Sequence, residues 1–252
     1  MKIALLLAYD GTDFHGFARQ KSARTVQGSL EEKLSMLLRG PIETVGAGRT
    51  DAGVHASGQV VSFASTSDVD PAWVQMRLNK LLAPEIVVRA AVDVPDAFSA
   101  RFSATRREYE YRIYRSGQPD PFRDRFALWV PGPLSLSKMR LGARALIGEH
   151  DFSSFCKRGE GSMVRRIRSI RFVSSGDELT VRISANSFCH QMVRAIVGML
   201  LDLGIGKRDP GDAGRVLRAK DRNTAGSVAA TRGLHLVRVG YHRDPFSAGW
   251  KA

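Results

Sequence analysis

Cysteine and histidine are scarce in this chain of 252 residues, and neither forms a recognisable cluster. The two cysteines, Cys156 and Cys189, lie far apart and form no Cys-x-x-Cys pair. Two cysteines cannot build a disulfide framework in a chain this long, so we interpret both as reduced thiols in a reducing compartment. The six histidines lack the HxxxH or HExxH spacing of metal ligands, so the sequence predicts no metal site.

Long apolar segments are missing as well. The first apolar run, from Ile3 to Ala8, is too short for the core of a signal peptide and stops at Tyr9 without a small-residue cleavage site. We expect a buried first strand there. No other stretch approaches the length that crosses a bilayer, so the sequence predicts a cytoplasmic protein with no membrane association.

Charge is plentiful but unevenly distributed. The formal net charge is +13 and the sequence pI is about 10.3. Residues 1–105 hold 11 basic and 11 acidic side chains, whereas residues 106–252 hold 27 and 14. Such an excess either solubilises the surface or serves a polyanionic partner, nucleic acid or an acidic membrane. The runs RREYEYRIYR (106–115) and VRRIRSIRF (164–172) favour nucleic acid, because their alternation would line one face of a sheet with cations.

The order of the helix and strand patterns predicts an α+β fold. In residues 1–105 the helices follow the capping residues Thr25 and Asp70, and the strands lie near 2–9, 41–47, 57–64 and 85–94. Residues 106–252 repeat the order strand-helix-strand-strand-helix-strand: 107–115, 136–147, 164–173, 178–185, 188–203 and 234–241. We therefore predict two ferredoxin-like units, 1–105 and 106–252, that form one extended, mostly antiparallel sheet with helices on one face and a cleft for RNA.

The loop GAGRTDAGVHA (46–56) is the most unusual segment. It lacks the Gly-Lys pair of a phosphate loop, and Asp51 stands where a dinucleotide fingerprint needs its third glycine. It is either a turn, in which Thr50 or Asp51 bonds local backbone, or a site whose glycines let a bulky ligand approach. In the second case Arg49 favours the ionised form of Asp51, which could act as a nucleophile or as an electrostatic stabiliser.

Two further residues have similarly open interpretations. Arg194 lies in an apolar stretch from Met192 to Leu201, so it either reaches solvent from a helix edge or pairs with an acid such as Asp51. Tyr109 is in step with Tyr111 on one side of a strand. Aromatic residues at this spacing belong to a core or, among arginines, can stack on a base.

With these motifs the chain resembles the tRNA pseudouridine synthase A (TruA) family over essentially its whole length. The segments that carry the resemblance are YDGTDFHGFARQ (9–20), TVQGSLEEKL (25–34), GAGRTDAGVHASGQVVSF (46–63), RFSATRREYEYRIY (101–114), ANSFCHQMVRAIVG (185–198) and GLHLV (233–237). The GRTDAGVHA element is highly specific, and together with the segment around Arg194 it excludes coincidence.

The resemblance implies a role for each candidate residue. It implies that Asp51 is the catalytic aspartate and that Arg49 helps to open or hold the substrate nucleotide. Tyr109 would stack on the target uracil and take part in proton transfer at C5, Arg194 would pair with the catalytic aspartate, and Leu234 would line the pocket. The family acts on uridines 38, 39 and 40 of the tRNA anticodon arm as a homodimer, without a cofactor or a metal.

The sequence departs from the family pattern at three positions. An aromatic residue is frequent in place of His15, tryptophan in place of Phe17, and histidine in place of Ser99. We expect these positions to lie at the RNA-contacting periphery rather than at the loop 46–56 that carries Asp51, which we call the aspartate loop.

Overall fold

The computed structural model describes residues 1–65, 68–157 and 161–247, which form two compact units. The first unit contains Met1–Arg106 and the chain from Leu236 onward, and the second contains Arg107–His235. The boundary at 105/106 inferred from the sequence leaves the C-terminal strand in the second unit. In the structure that strand clusters with the first unit, because it lies beside a strand of the first unit's sheet.

The first unit follows the strand and helix order predicted from its sequence. Its elements are β1 (Lys2–Tyr9), α1 (Val26–Leu37), β2 (Thr44–Gly46), β3 (His55–Ala64), α2 (Pro71–Leu82), β4 (Ile86–Val94) and most of β10 (Leu234–Tyr241). The strands lie in the order β4-β1-β3-β10, with β2 also paired to β3. The pairs β1–β3, β1–β4 and β2–β3 are antiparallel, as expected for a ferredoxin-like unit.

Local signals explain the two helices of this unit. The Thr25 side chain accepts a hydrogen bond from the Gly28 amide at 3.2 Å and begins α1. Asp70 caps α2 in the same way, and proline follows at the first helical position. The buried residues recur at three- or four-residue spacing, so each helix presents one apolar stripe to the core: Val26, Leu30 and Leu34 in α1, and Val74, Leu78 and Leu82 in α2.

The second unit is built on a four-stranded sheet. Its elements are β5 (Ala104–Tyr114), α3 (Pro121–Asp124), β6 (Leu128–Trp129), α4 (Leu136–Arg144), β7 (Gly148–Asp151), β8 (Val164–Ser175), β9 (Glu178–Ala185), α5 (Met192–Gly204) and α6 (Gly211–Ala219). The strands lie in the order β5-β9-β8-β7, all antiparallel, with β6 added parallel to β5. The prediction of an α+β fold with mostly antiparallel strands is confirmed.

The interpretation of both cysteines as reduced thiols is wrong. Cys156 follows a short 3-10 helix (Ser153–Phe155), Cys189 precedes α5, and the two form a disulfide with Cα atoms 5.8 Å apart. The Lys157 amide donates to the His190 carbonyl at 2.9 Å, so the two segments run side by side. A separation of 33 residues without a motif gives no sign of this proximity, which only the fold creates.

Neither a membrane-spanning helix nor a metal-binding cluster is seen in the part of the chain that the structure describes. No helix there is long and apolar enough to cross a membrane. The same residues contain no group of three or more histidine, cysteine, aspartate or glutamate side chains that could hold a metal ion.

Candidate functional site

The segment from Gly46 to His55 connects β2 to β3 and carries Asp51. Backbone and side-chain hydrogen bonds fix both ends of this loop. The Ala47 amide donates to the Val60 carbonyl at 2.8 Å, and the Gln59 side-chain amide donates to the Gly48 carbonyl at 2.7 Å. The Val54 amide donates to the Asp51 carbonyl at 3.1 Å, which closes a turn directly after the aspartate. Asp51 is half-buried and Arg49 is exposed.

The segment Phe14–Phe17 packs against this loop and shapes it. The Phe17 amide donates to the Thr50 carbonyl at 3.0 Å, and the Gly53 amide donates to the Phe14 carbonyl at 3.3 Å. Gly16 has a φ of +92°, and a Cβ there would stand 2.8 Å from the Thr50 carbonyl oxygen. Only glycine allows the segment to pass so close to the residue before Asp51.

The expectation that Phe17 lies at the RNA-contacting periphery is wrong. Its side chain is 2% exposed, and a Cβ on Gly46 would come within 2.3 Å of its ring. The ring therefore fills the space that the glycine leaves at the start of the aspartate loop. Sequence reasoning missed this role because the contact joins residues that are nearly thirty positions apart.

A buried polar cluster supports the loop from inside the unit. The Tyr9 hydroxyl lies 2.9 Å from the Thr50 hydroxyl oxygen and also forms a side-chain hydrogen bond with Gln59. Tyr9 is 4% exposed, Thr50 7% and Gln59 fully buried. Burial raises the pKa of Tyr9 to about 12, so its hydroxyl keeps its proton at neutral pH. The sequence signal that could have pointed to this cluster is the position of Tyr9 at the end of the apolar run of β1.

In the second unit Tyr109 occupies the middle of β5. It pairs with Ile183 of β9, and its ring meets that of Phe188 edge to face, with centroids 5.2 Å apart. The ring is buried. Phe188 belongs to the segment that leads into α5 and had not been singled out from the sequence. Its edge-to-face contact fixes the plane of the Tyr109 ring.

Arg194 lies in the first turn of α5 and is half-buried. Its Nε donates to the Ala229 carbonyl at 2.7 Å, and the Ala229 amide donates to the Arg194 carbonyl at 3.1 Å. The guanidinium is also close enough to Tyr111 to lower that residue's pKa, although burial outweighs this effect and raises it. The Tyr111 hydroxyl donates to the Ala230 carbonyl at 2.8 Å.

The segment that begins at Ala229 is therefore hydrogen-bonded to Arg194 at one end and reaches Leu234 five residues later. Leu234 is 5% exposed and is the first residue of β10, directly after a 3-10 helix (Thr231–Gly233). Gly233 lies against the Tyr111 ring, where a Cβ would approach within 2.8 Å. Within this unit the fold brings the Arg194 backbone, Tyr111 and the segment that begins β10 together. Asp51 and Arg49 belong to the first unit, so the pairing of Asp51 with Arg194 stays a prediction.

Comparison with known proteins identifies related sequences. The family model described as tRNA pseudouridine synthase matches residues 6–103 and 143–242. A tRNA pseudouridine synthase A of Bacillus licheniformis is 42% identical over 245 residues, which cover 96% of this chain and 99% of that protein. The enzyme of the same name from Pseudothermotoga lettingae is 42% identical over 239 residues, with 94% and 98% covered. That of Nitrosococcus oceani is 43% identical over 244 residues, with 96% and 94% covered.

Proposed function

The chain belongs to the tRNA pseudouridine synthase family, and we propose that it isomerises uridines 38, 39 and 40 of the tRNA anticodon arm with Asp51 as the catalytic group. As a member of this family it is an isomerase that converts uridine in tRNA to pseudouridine. The C1′–N1 bond breaks, the uracil turns, and C1′ bonds to C5. C5 loses its hydrogen as a proton and N1 gains one, so mass and oxidation state do not change.

The proposed role of Asp51 rests on how the protein holds this residue. The hydrogen bonds at Gly48, Thr50 and Val54 fix the backbone on both sides of it, so the carboxylate needs little reorganisation to reach a substrate. An ionised carboxylate can attack C1′ or C6, or it can remove a proton from the sugar and leave a glycal. Both routes need the anion, and both stay open. The fixed loop around a half-buried aspartate is the observation that carries the proposal.

The other candidate residues would assist this carboxylate. The exposed Arg49, two positions before Asp51, would help to open or hold the target nucleotide. Arg194 would pair with the Asp51 carboxylate through its guanidinium. Tyr109, with its ring plane set by Phe188, would stack on the everted uracil and assist proton transfer at C5, and Leu234 would form an apolar wall that retains the free base.

The remaining parts of the proposal concern partners and location. The positive charge of residues 106–252 would hold tRNA phosphates and offset the free energy of flipping the target base, a few kcal/mol. The protein would work as a homodimer in which one tRNA contacts both subunits, in the cytoplasm and without a cofactor.

Asp51→Asn tests the proposal directly. The change keeps the size of the side chain but removes its charge, so we expect tRNA binding to persist and pseudouridine formation to fall below detection. The substrate is unmodified tRNA labelled with tritium at C5 of uridine, and the readouts are tritium released to water and mapping of the product at positions 38–40. Asp68→Asn, which removes an exposed carboxylate of the same unit, is the matched control.

Three results would contradict parts of the proposal. Near-normal turnover by Asp51→Asn would remove this residue from the mechanism. Release of free uracil would indicate a hydrolase in place of an isomerase. Product at uridines outside the anticodon arm would overturn the assignment of positions 38–40.

A further inference from the structure

A cavity of about 410 Å³ lies in the first unit, where the turn before β5 meets the end of β10. Its walls include Phe98, Phe102, Tyr241, His242 and Arg243, and none of them comes from the aspartate loop. The volume falls in the range of small-ligand pockets, roughly 300–1,000 Å³. Aromatic rings beside cationic groups are the combination that proteins use to hold unpaired bases.

The inner aromatic wall of this cavity is fixed in place. Phe98 is 8% exposed, and its ring centroid lies 5.1 Å from that of Tyr241 with the planes tilted by 47°. The Tyr241 hydroxyl donates to the Ala100 carbonyl at 2.9 Å, which sets the position of that ring. A ligand therefore meets a wall that is already formed, so little conformational freedom is lost on binding.

Phe102 stands at the mouth of the cavity and is 81% exposed. Single exposed apolar side chains are common on protein surfaces, so exposure alone indicates nothing. This one, however, is presented by an ordered turn. The Ser103 amide donates to the Ser99 carbonyl at 3.0 Å, and the Phe102 amide donates to the Ser99 hydroxyl at 3.3 Å. The turn holds the ring out in a defined place next to the cavity.

The surroundings of Phe102 are cationic. The Arg101 guanidinium lies 5.4 Å from the centroid of the Phe102 ring. His242 and Arg243 line the cavity and are both exposed. None of the described residues that line it is acidic. The positive charge around this cavity favours a ligand that carries a phosphate next to its base over an uncharged apolar ligand.

We propose that this cavity binds an unpaired nucleobase of the substrate tRNA, which stacks on Phe102 while its neighbouring phosphate contacts Arg243. The inference rests on tRNA being the substrate and concerns a nucleotide other than the uridine that is isomerised. Every base has a stacking face, so the site would tolerate different bases at that position. It would add affinity and fix the tRNA relative to the protein without taking part in the chemistry.

The test compares two exposed phenylalanines. Phe102→Ala is measured against Phe122→Ala, because Phe122 is 91% exposed and lies in α3, outside the cavity. The dissociation constant of unmodified tRNA is determined for each variant at fixed salt by filter binding. Stacking on an aromatic ring contributes about 1–3 kcal/mol per base, so Phe102→Ala should weaken binding roughly 5- to 150-fold. Phe122→Ala should bind like the original chain.

Two additional variants separate stacking from charge. Phe102→Trp retains a stacking face and should restore the affinity. Arg243→Gln should weaken binding for all tRNAs alike. It should also reduce the slope of log affinity against log salt by about 0.7–0.9, the contribution of one phosphate contact. Equal affinity of Phe102→Ala and the original chain would overturn the inference while leaving tRNA isomerisation by the original chain intact. A change of oligomeric state in Phe102→Ala, measured by sedimentation, would instead assign the ring to contact with a second copy.

Discussion

The Tyr9 hydroxyl tests how the aspartate loop is held in place. It bonds to the Thr50 hydroxyl at 2.9 Å in the interior, directly before Asp51 in the chain. Tyr9→Phe removes one oxygen and leaves the ring, so the loss is confined to this hydrogen-bonded group. Leaving a buried partner unsatisfied costs about 1–3 kcal/mol. For a chain of this length, a loss of about 2 kcal/mol corresponds to a decrease in Tm of about 4–8 °C.

The pH dependence of stability gives a second signature of the same group. Burial raises the pKa of Tyr9 to about 12 from 10.0, so the folded state holds this proton more tightly than the unfolded state does. The stabilisation is complete below pH 10 and is lost as the pH rises towards 12. Between pH 9 and 11 the original chain should lose about 1 kcal/mol that Tyr9→Phe does not lose. The stability difference between the two proteins therefore shrinks as the pH rises.

A double-mutant cycle identifies the partner. Thr50→Val removes the other hydroxyl and nearly keeps the side-chain volume. Each single change takes this hydrogen bond away from the hydroxyl that remains, whereas the double change removes both hydroxyls; the bond between Tyr9 and Gln59 is lost in Tyr9→Phe and in the double variant alike. We therefore expect the double variant to lose clearly less stability than the sum of the two single losses.

Thermal and urea unfolding, together with the initial rate of tritium release from tRNA, measure these effects. The rate should fall in Tyr9→Phe because the residue before Asp51 loses an anchor. In the unfolding assays, Tyr241→Phe, whose hydroxyl bonds to the Ala100 carbonyl instead, serves as the control for losing a tyrosine hydroxyl in this unit. Strict additivity of the two single changes, or an identical pH dependence with and without the hydroxyl, would refute this account of the loop.

Two other predictions concern the second unit. In Gly198→Ala, the added Cβ would clash with the Ser227 carbonyl oxygen, so α5 must move away from the segment that holds Arg194. We expect the free energy of unfolding to fall by about 1–3 kcal/mol. Gly211→Ala, with open space where its Cβ would lie, should have little effect on stability in the same unfolding assay. Affinity for tRNA should fall steeply with salt, by about 0.7–0.9 in log–log slope per phosphate contacted, and a flat dependence would contradict the role of the basic residues after position 105.

Elements whose signals are local were predictable from the sequence. The cap at Thr25 and the Asp70-Pro71 pair each act within a few residues, and the structure has each where the pattern indicates. The bounds of β1 agree because the apolar run from Ile3 to Ala8 makes up most of the strand. Short elements such as α3 and β7 escaped because four residues carry too little periodicity to stand out.

Features that depend on distant contacts were not predictable. The disulfide joins residues 33 positions apart, and the placement of β10 with the first unit depends on its neighbour in the sheet. Phe17 had been assigned to the periphery because it is a departure from a family pattern. Its burial follows from a ring that packs on Gly46, which no local pattern reveals.

The contacts seen in the structure give the glycines of the aspartate loop a different role from the one that the sequence predicts. From the sequence, Gly46, Gly48 and Gly53 could all have allowed a bulky ligand to approach. The Phe17 ring, however, occupies the space over Gly46, and the Gly48 carbonyl accepts from Gln59. Gly53 has a φ of +75° and donates to the Phe14 carbonyl, so it serves the turn after Asp51. The protein itself therefore uses these backbone groups. Under the proposed function, the side chains left to contact substrate from this loop are those of the exposed Arg49 and the half-buried Asp51.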